Sequence, residues 1–213
     1  MENIENIVEN ARKDLRDCEY LLIGLGKEWE SLDAEKAEEA YQALAKLVAA
    51  KDCFIVTTAV DGRIFEFLPD KSRITAPCGN VNWVQCPDAC TKDIWEKGEV
   101  ADGLCPHCGK ELVPNTIACG NYIEEGYLPQ WKGYQEWLSR TLNRKLLLLE
   151  LGVEFQTPTV IRWPFEKTAF FNQKSHMYRV GQKFYQITEE LRERAFPVEM
   201  NSLDFIRKLA AKD

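Results

Sequence analysis

A chain of 213 residues with 45% apolar content can bury a core for one main domain with a small insertion, and is short for two full domains. Its net charge of −7 leaves no overall positive field for phosphate backbones, which excludes nucleic acid as a default partner. The start MENIENIVENARKDL lacks the basic flank and apolar centre of a signal peptide, and the longest apolar run, LLLLELGV, is too short to span a bilayer, so a cytoplasmic protein with no membrane partner is expected.

Ile4, Ile7, Val8, Ala11 and Leu15 recur at helical spacing, and YLLIGLG then reads as a short buried strand ending in glycines. Asp33 is placed to cap a helix whose Ala37, Ala40, Tyr41, Leu44 and Val48 share one face, and CFIVTTAV comes after it as the next strand. Residues 86 to 110, CPDACTKDIWEKGEVADGLCPHCGK, then interrupt the alternation. In a reducing compartment paired cysteines point to metal before disulfides. Cys86, Cys90, Cys105 and Cys108 supply the four thiolates of a closed tetrahedral zinc site. Four thiolates leave no position for water or substrate, so the metal is read as structural. The loop between the pairs has little apolar content and lacks a core of its own without metal. His107, inside the second knuckle, is the alternative ligand.

Beyond the knuckles, TIACG reads as a strand with Cys119 buried in it. Pro129 to Arg144 reads as a helix with Trp131, Tyr134, Trp137 and Leu138 inward, and KLLLLELG as a strand buried on both faces. TPTVIRWPFEK begins a further helix, TAFFNQ a further strand, and ITEELRERA and NSLDFIRKLAA read as helical. Trp83 and Trp163 join Trp131 and Trp137 as core aromatics, and His176 is a surface or packing residue. This alternation predicts an α/β fold, a Rossmann-like parallel sheet with helices on both faces and a small inserted zinc-ribbon module. Residues 1–80 and 114–213 then form the Rossmann-like domain, and residues 81–113 the inserted four-cysteine zinc module.

In such a sheet ligands bind beyond the carboxyl ends of the strands, here Gly24-Leu25-Gly26, Thr57 to Asp61, Pro77 to Gly79, Gly120-Asn121 and Gly152 to Pro158. Gly24 and Gly26 either admit a pyrophosphate or merely make a tight turn, since Trp29 occupies the place of the third glycine of a dinucleotide fingerprint. Arg162, on the helix after Gly152, either faces this crevice to pair with an anion or is a solvated helix arginine.

In their order these segments resemble the sirtuins. GLG at 24–26 stands at the family's Gly-Ala-Gly turn, and TTAVDG at 57–62 is similar to its Thr-Gln-Asn-Ile-Asp-Gly segment. CGNVNWVQC at 78–86 has the interval from the family's catalytic histidine to its first zinc cysteine. CPHCGKELVPNTIACGN at 105–121 resembles the second cysteine pair together with the Arg-Pro and Phe-Gly-Glu segments after it. LELGVEFQTPTVIRWPFEK at 149–167 resembles the macrodomain-linked bacterial sirtuins, which the resemblance associates with protein ADP-ribosylation. The likeness covers roughly residues 18 to 180.

The resemblance implies binding of NAD or ADP-ribose at Gly24, Gly26, Thr57, Asp61 and Gly152, with Asp61, Cys78 and Arg162 as the catalytic candidates. It also marks departures. Cys78 stands where the family has its histidine base, Ala59 where it has an asparagine, and Glu154 where a serine helps hold the cofactor. Between Gly26 and Thr57 there is room for one helix, so the cofactor-binding loop and helical lobe are missing. A degenerate sirtuin-like protein is therefore expected, binding a nucleotide weakly or engaging a protein partner with little turnover. The alternatives are an active NAD-dependent protein ADP-ribosyltransferase or deacylase acting on a protein acceptor, and a zinc-ribbon interaction protein.

Overall fold

The computed structural model describes residues 3–211. The Asn3 side chain accepts from the Glu5 N–H and caps α1 (Ile4–Asp17), whose Ile7, Val8, Ala11 and Leu15 form the buried stripe. β1 (Tyr20–Leu25) comes next, then a 3-10 turn over Lys27–Trp29. Asp33 accepts from the Lys36 N–H to cap α2 (Ala34–Val48), which leads to β2 (Asp52–Thr57). A single turn, α3 (Ile64–Phe67), precedes β3 (Ile74–Thr75).

Here the chain leaves the main sheet. β4 (Gly79–Gln85), β5 (Ile94–Glu96) and β6 (Val113–Thr116) make a separate antiparallel sheet in the order β5-β4-β6, with the four spaced cysteines in its loops. Pro129 in the first turn of α4 (Leu128–Arg140) starts the return, since a proline there removes no intrahelical bond. β7 (Leu146–Leu151), α5 (Arg162–Phe171), β8 (Ser175–Gly181), β9 (Ala195–Glu199) and α6 (Ser202–Ala210) complete the chain.

The six-stranded sheet has the order β3-β2-β1-β7-β8-β9 and every pair is parallel. Its outermost strands are weak templates: β3 has two residues, and β9 contains Pro197. One face is covered by α1, α2 and α6, with Trp29, Tyr41 and Phe205 in the core; the other buries Phe54, Trp137 and Phe165 beneath α4 and α5. No helix among the described residues is long and apolar enough to cross a membrane.

Three expected elements differ. TAFF is the last turn of α5, because Phe165 and Ala169 face the core at helical spacing, and the strand is the next segment, SHMYRVG. TIACG is not a strand: β6 ends at Thr116, and the Cys119 N–H turns back to the Thr116 carbonyl at 2.9 Å. ITEELRERA yields one 3-10 turn, Glu189–Leu191, and its end opens β9, which the charged residues disguised. Trp137 is buried as expected, whereas Trp163 is 53% exposed on the outer side of α5.

Candidate functional site

The cysteines of the small sheet converge. All four sulfurs lie within 4.8 Å of one another, with Cys86 Sγ to Cys108 Sγ at 3.5 Å and Cys90 Sγ to Cys105 Sγ at 3.6 Å. A tetrahedron of zinc–sulfur bonds of about 2.3 Å has edges of about 3.8 Å, so the donor set fits that ion. The knuckle backbones are shaped for it. The Ala89 N–H bonds the Cys86 carbonyl with φ +49° at Ala89, and Gly109, with φ +73°, donates its N–H to the Cys105 carbonyl. Amides of Cys90 and Asp88 draw the Cys86 thiol down to about 6, while hydrogen bonding to Cys86 pushes the Cys90 thiol up. His107 is not part of the set. It is exposed, and its Nε2 lies 3.0 Å from Asp93 Oδ2.

The second constellation sits where the strand order reverses. β1 is flanked by β2 and β7, so their carboxyl ends diverge into loops on opposite sides and leave a crevice. It has a volume of ≈ 350 Å³ and is lined by Lys27 and Glu30 after β1, Thr58 and Val60 after β2, Cys78, and Glu154 and Thr157 after β7. Gly24, Gly26, Thr57 and Gly152 are not among its lining residues. A Cβ on Gly26 would lie 2.2 Å from the Gly152 carbonyl oxygen, and the Gly26 N–H already bonds the Leu151 carbonyl at 2.8 Å. Gly26 is thus required for the approach of two backbones. Gly24 likewise makes room, for Ile161 and Phe165, at 2.4 and 3.0 Å from a Cβ placed there.

Cys78 lines the crevice and is nearly buried, its sulfur 3.8 Å from Thr157 Oγ1. Burial pushes its thiol up, with the Thr157 hydroxyl opposing, so it is protonated and a poor base at neutral pH. Thr57 is fully buried and serves the turn, accepting from the Ala59 N–H at 3.0 Å. Glu30, which carried no signal in the sequence, enters the crevice from the loop before α2. Its Oε1 accepts from the Val60 N–H at 2.9 Å, and Oε2 pairs with Lys27.

Asp61 and Arg162 also lie outside this crevice. Asp61 turns back on its own loop, accepting from the Arg63 N–H at 3.2 Å and pairing with Arg63 Nε at 3.4 Å; burial raises its pKa, with Arg63 opposing. Arg162 is neither crevice-facing nor solvated. Its Nη1 reaches Glu150 Oε1 at 3.4 Å and the Phe184 carbonyl at 2.8 Å, and its Cζ lies 4.2 Å from the centroid of the Phe155 ring. Glu150 is also gripped by Arg179 through Nε at 2.8 Å and Nη2 at 2.9 Å, while Arg179 Nη1 reaches Glu166. Gly24, Glu150 and Arg179 are register partners across β1, β7 and β8, which places this network beside the sheet's midline.

No family model matches the chain. A protein ADP-ribosyltransferase of Staphylococcus aureus is 25% identical over 174 residues, 73% of this chain and 55% of the relative. A "probable bifunctional ADP-ribose hydrolase/ADP-ribosyltransferase" of Fusarium oxysporum f. sp. cubense is 31% identical over 143 residues, 54% of this chain and 23% of the relative. The chain thus spans about half and about a quarter of the lengths of these curated relatives. Among solved structures, two mutants of a Sir2 homologue in complex with ADP-ribose superpose with TM-scores of 0.60 and 0.61 at 14% and 13% identity, each over 95% of this chain and 94% of theirs. At this identity the likeness is one of fold: the six-stranded parallel sheet, with the cysteine-bearing small sheet inserted in the chain, has a Sir2-like fold.

Proposed function

We propose that this chain transfers ADP-ribose from NAD to a protein acceptor, using the crevice at the ends of β1, β2 and β7, and that residues 86 to 108 hold a structural zinc. The observation that carries the reading is the presence of the Glu30 carboxylate in one crevice with Cys78, the residue that the resemblance sets at the position of the histidine base. NAD supplies a glycosidic bond whose leaving group is already cationic. A neighbouring carboxylate stabilises positive charge developing at the sugar carbon and accepts the proton of the attacking acceptor group. Lys27, the Thr157 hydroxyl and the Gln156 amide are donors in the crevice for the ligand's oxygens, whereas the Thr58 hydroxyl is spent on the Leu25 carbonyl at 3.3 Å. The Gly26 turn contributes space for backbone packing instead of free N–H groups. Lysine deacylation is not part of this reading, because Ala59 is apolar and buried and Cys78 is a protonated thiol.

The names of the two relatives support ADP-ribosyl transfer over deacylation. The division into an inserted module at 81–113 and a nucleotide domain at 1–80 and 114–213 is part of the proposal; the first boundary falls inside β4 and the second at the first residue of β6. Residues 1–2 and 212–213 lie outside the described residues. A second reading, weak nucleotide or partner binding without turnover, is favoured by the protonated Cys78 and by the two crevice carboxylates, Glu30 and Glu154, which repel phosphate.

The test is labelling of acceptor protein from radioactive NAD by wild type and by Glu30→Gln, which can keep the Val60 N–H bond but loses the base. Transfer should fall by about 10² or more in the variant. Undiminished labelling by Glu30→Gln sinks the assignment of Glu30. Absence of wild-type labelling alongside calorimetric binding of ADP-ribose selects the binding-only reading.

A further inference from the structure

A second cleft, of ≈ 420 Å³, opens between the β3 edge of the parallel sheet and the small sheet. It shares no lining residue with the crevice: the crevice takes Thr58 and Val60, whereas this cleft begins at Gly62. Its walls are aromatic, from Phe65, Trp83 and Tyr127, and its polar groups include the amides of Asn82 and Gln130. The Phe65 and Trp83 rings are 5.5 Å apart and tilted by 49°, so a further ring stacks on this pair and does not enter between them. Gln130 Oε1 is out of reach of solvent and has no hydrogen-bond partner. A buried acceptor left unpaired costs about 1–3 kcal/mol, and a turn of the partly exposed Gln130 side chain that brings Oε1 round to a ligand N–H in the cleft recovers it.

The charges at this cleft cancel, Glu66 and Glu96 against Lys71 and Lys97. A site built for phosphate would be expected to carry a cationic excess. Aromatic walls, amides to read an edge, an unpaired acceptor and no net charge together describe a receptor for a flat neutral molecule.

We propose that this cleft binds an uncharged planar heterocycle bearing an exocyclic N–H donor, the chemistry of a nucleobase or nucleoside. Gly62 puts the site in contact with the segment that carries Val60 into the crevice. A Cβ on Gly62 would lie 2.4 Å from Asn80 Oδ1 and 2.6 Å from Asn82 Nδ2, so a ligand held by Asn82 bears directly on this turn. The inference stands without the proposed transferase activity, because it uses none of the crevice residues.

The experiment is calorimetric titration of the full chain with adenosine up to about 1 mM, the range in which a small pocket of this kind binds. Wild type should bind one adenosine, AMP should bind no more tightly, and purine riboside, which lacks the exocyclic amine, should bind about tenfold more weakly. Trp83→Ala and the exposed Asn82→Ala should each weaken adenosine by about tenfold or more, with melting temperature and metal content checked to confirm folding. Thr157→Trp, which fills the crevice, should leave adenosine binding unchanged. Absence of binding at about 1 mM, equal binding of purine riboside, or survival of binding in both cleft variants overturns the proposal. Loss of binding in Thr157→Trp also overturns it, by placing adenosine in the crevice.

Discussion

Glu150 brings a carboxylate into the middle of a buried parallel strand, where it is tolerated because two guanidinium groups face it. Removing one member of such a network leaves an uncompensated buried charge, so Glu150→Leu should cost about 3–5 kcal/mol, read from urea or guanidinium unfolding. Arg162 belongs to this network, and Arg162→Ala should lower stability before it changes any ligand affinity. At the opposite end of the strands, His176 Nδ1 sits 2.9 Å from Asp14 Oδ2, and this hydrogen bond, outweighing burial, raises the imidazole pKa. A raised folded-state pKa stabilises fully below the ordinary imidazole value of about 6.5 and loses that contribution as pH rises through the folded value. The pair is half exposed, which limits it to under about 1 kcal/mol. His176→Gln should therefore melt about 1–3 °C below wild type near pH 6, with the gap closing by about pH 9; an equal gap at both pH values refutes the linkage.

At the scale of elements, the glycines at the ends of β1 and β7 work as a pair. Gly152 has φ +65°, and a Cβ there would meet the Glu28 Cβ at 2.5 Å. Gly98 also has positive φ, +89°, but nothing lies within 4 Å of its Cβ direction. Gly98→Ala should accordingly cost only the backbone term, about 1–2 kcal/mol, and Gly152→Ala about 1–3 kcal/mol more for the collision, compared by denaturant midpoint. The same elements show which parts of the fold the sequence exposed. β1, β2 and β7 were legible because each is a continuous apolar run between turn signals, and α1 and α2 because apolar residues recur at helical spacing, with Asp33 legible as the cap before α2. β8 was missed because His176, Arg179 and the aromatic TAFF before it blur the period, and Arg179 is buried only by virtue of Glu150 on the neighbouring strand, far off in the chain. Likewise no local pattern announces Glu30, whose place beside Cys78 depends on how β1 and the small sheet meet.

For the whole molecule, the division of labour between two sheets predicts two stabilities. The parallel sheet has apolar cores on both faces, whereas the cysteine-bearing loops expose most of their side chains and rely on the four thiolates. About one zinc per chain should be found by metal analysis, and Cys105→Ser should release it. Chelation should strip hydrogen-exchange protection from β4, β5 and β6 while β1, β7 and β8 keep theirs; uniform loss would mean that the sheets fold as one unit. The convergence of the four cysteines could be read from spacing alone because knuckles are local, while the crevice is assembled from several loops and became visible only in three dimensions. The edges of the large sheet carry a different consequence. A two-residue β3 offers almost no ladder to extend, and Pro197 in β9 has no amide hydrogen to donate. A foreign strand finds little to pair with on either margin, so concentrated solutions of the folded chain should resist growth into fibrils, and Pro197→Val should raise thioflavin-positive aggregation by restoring a continuous row of donors.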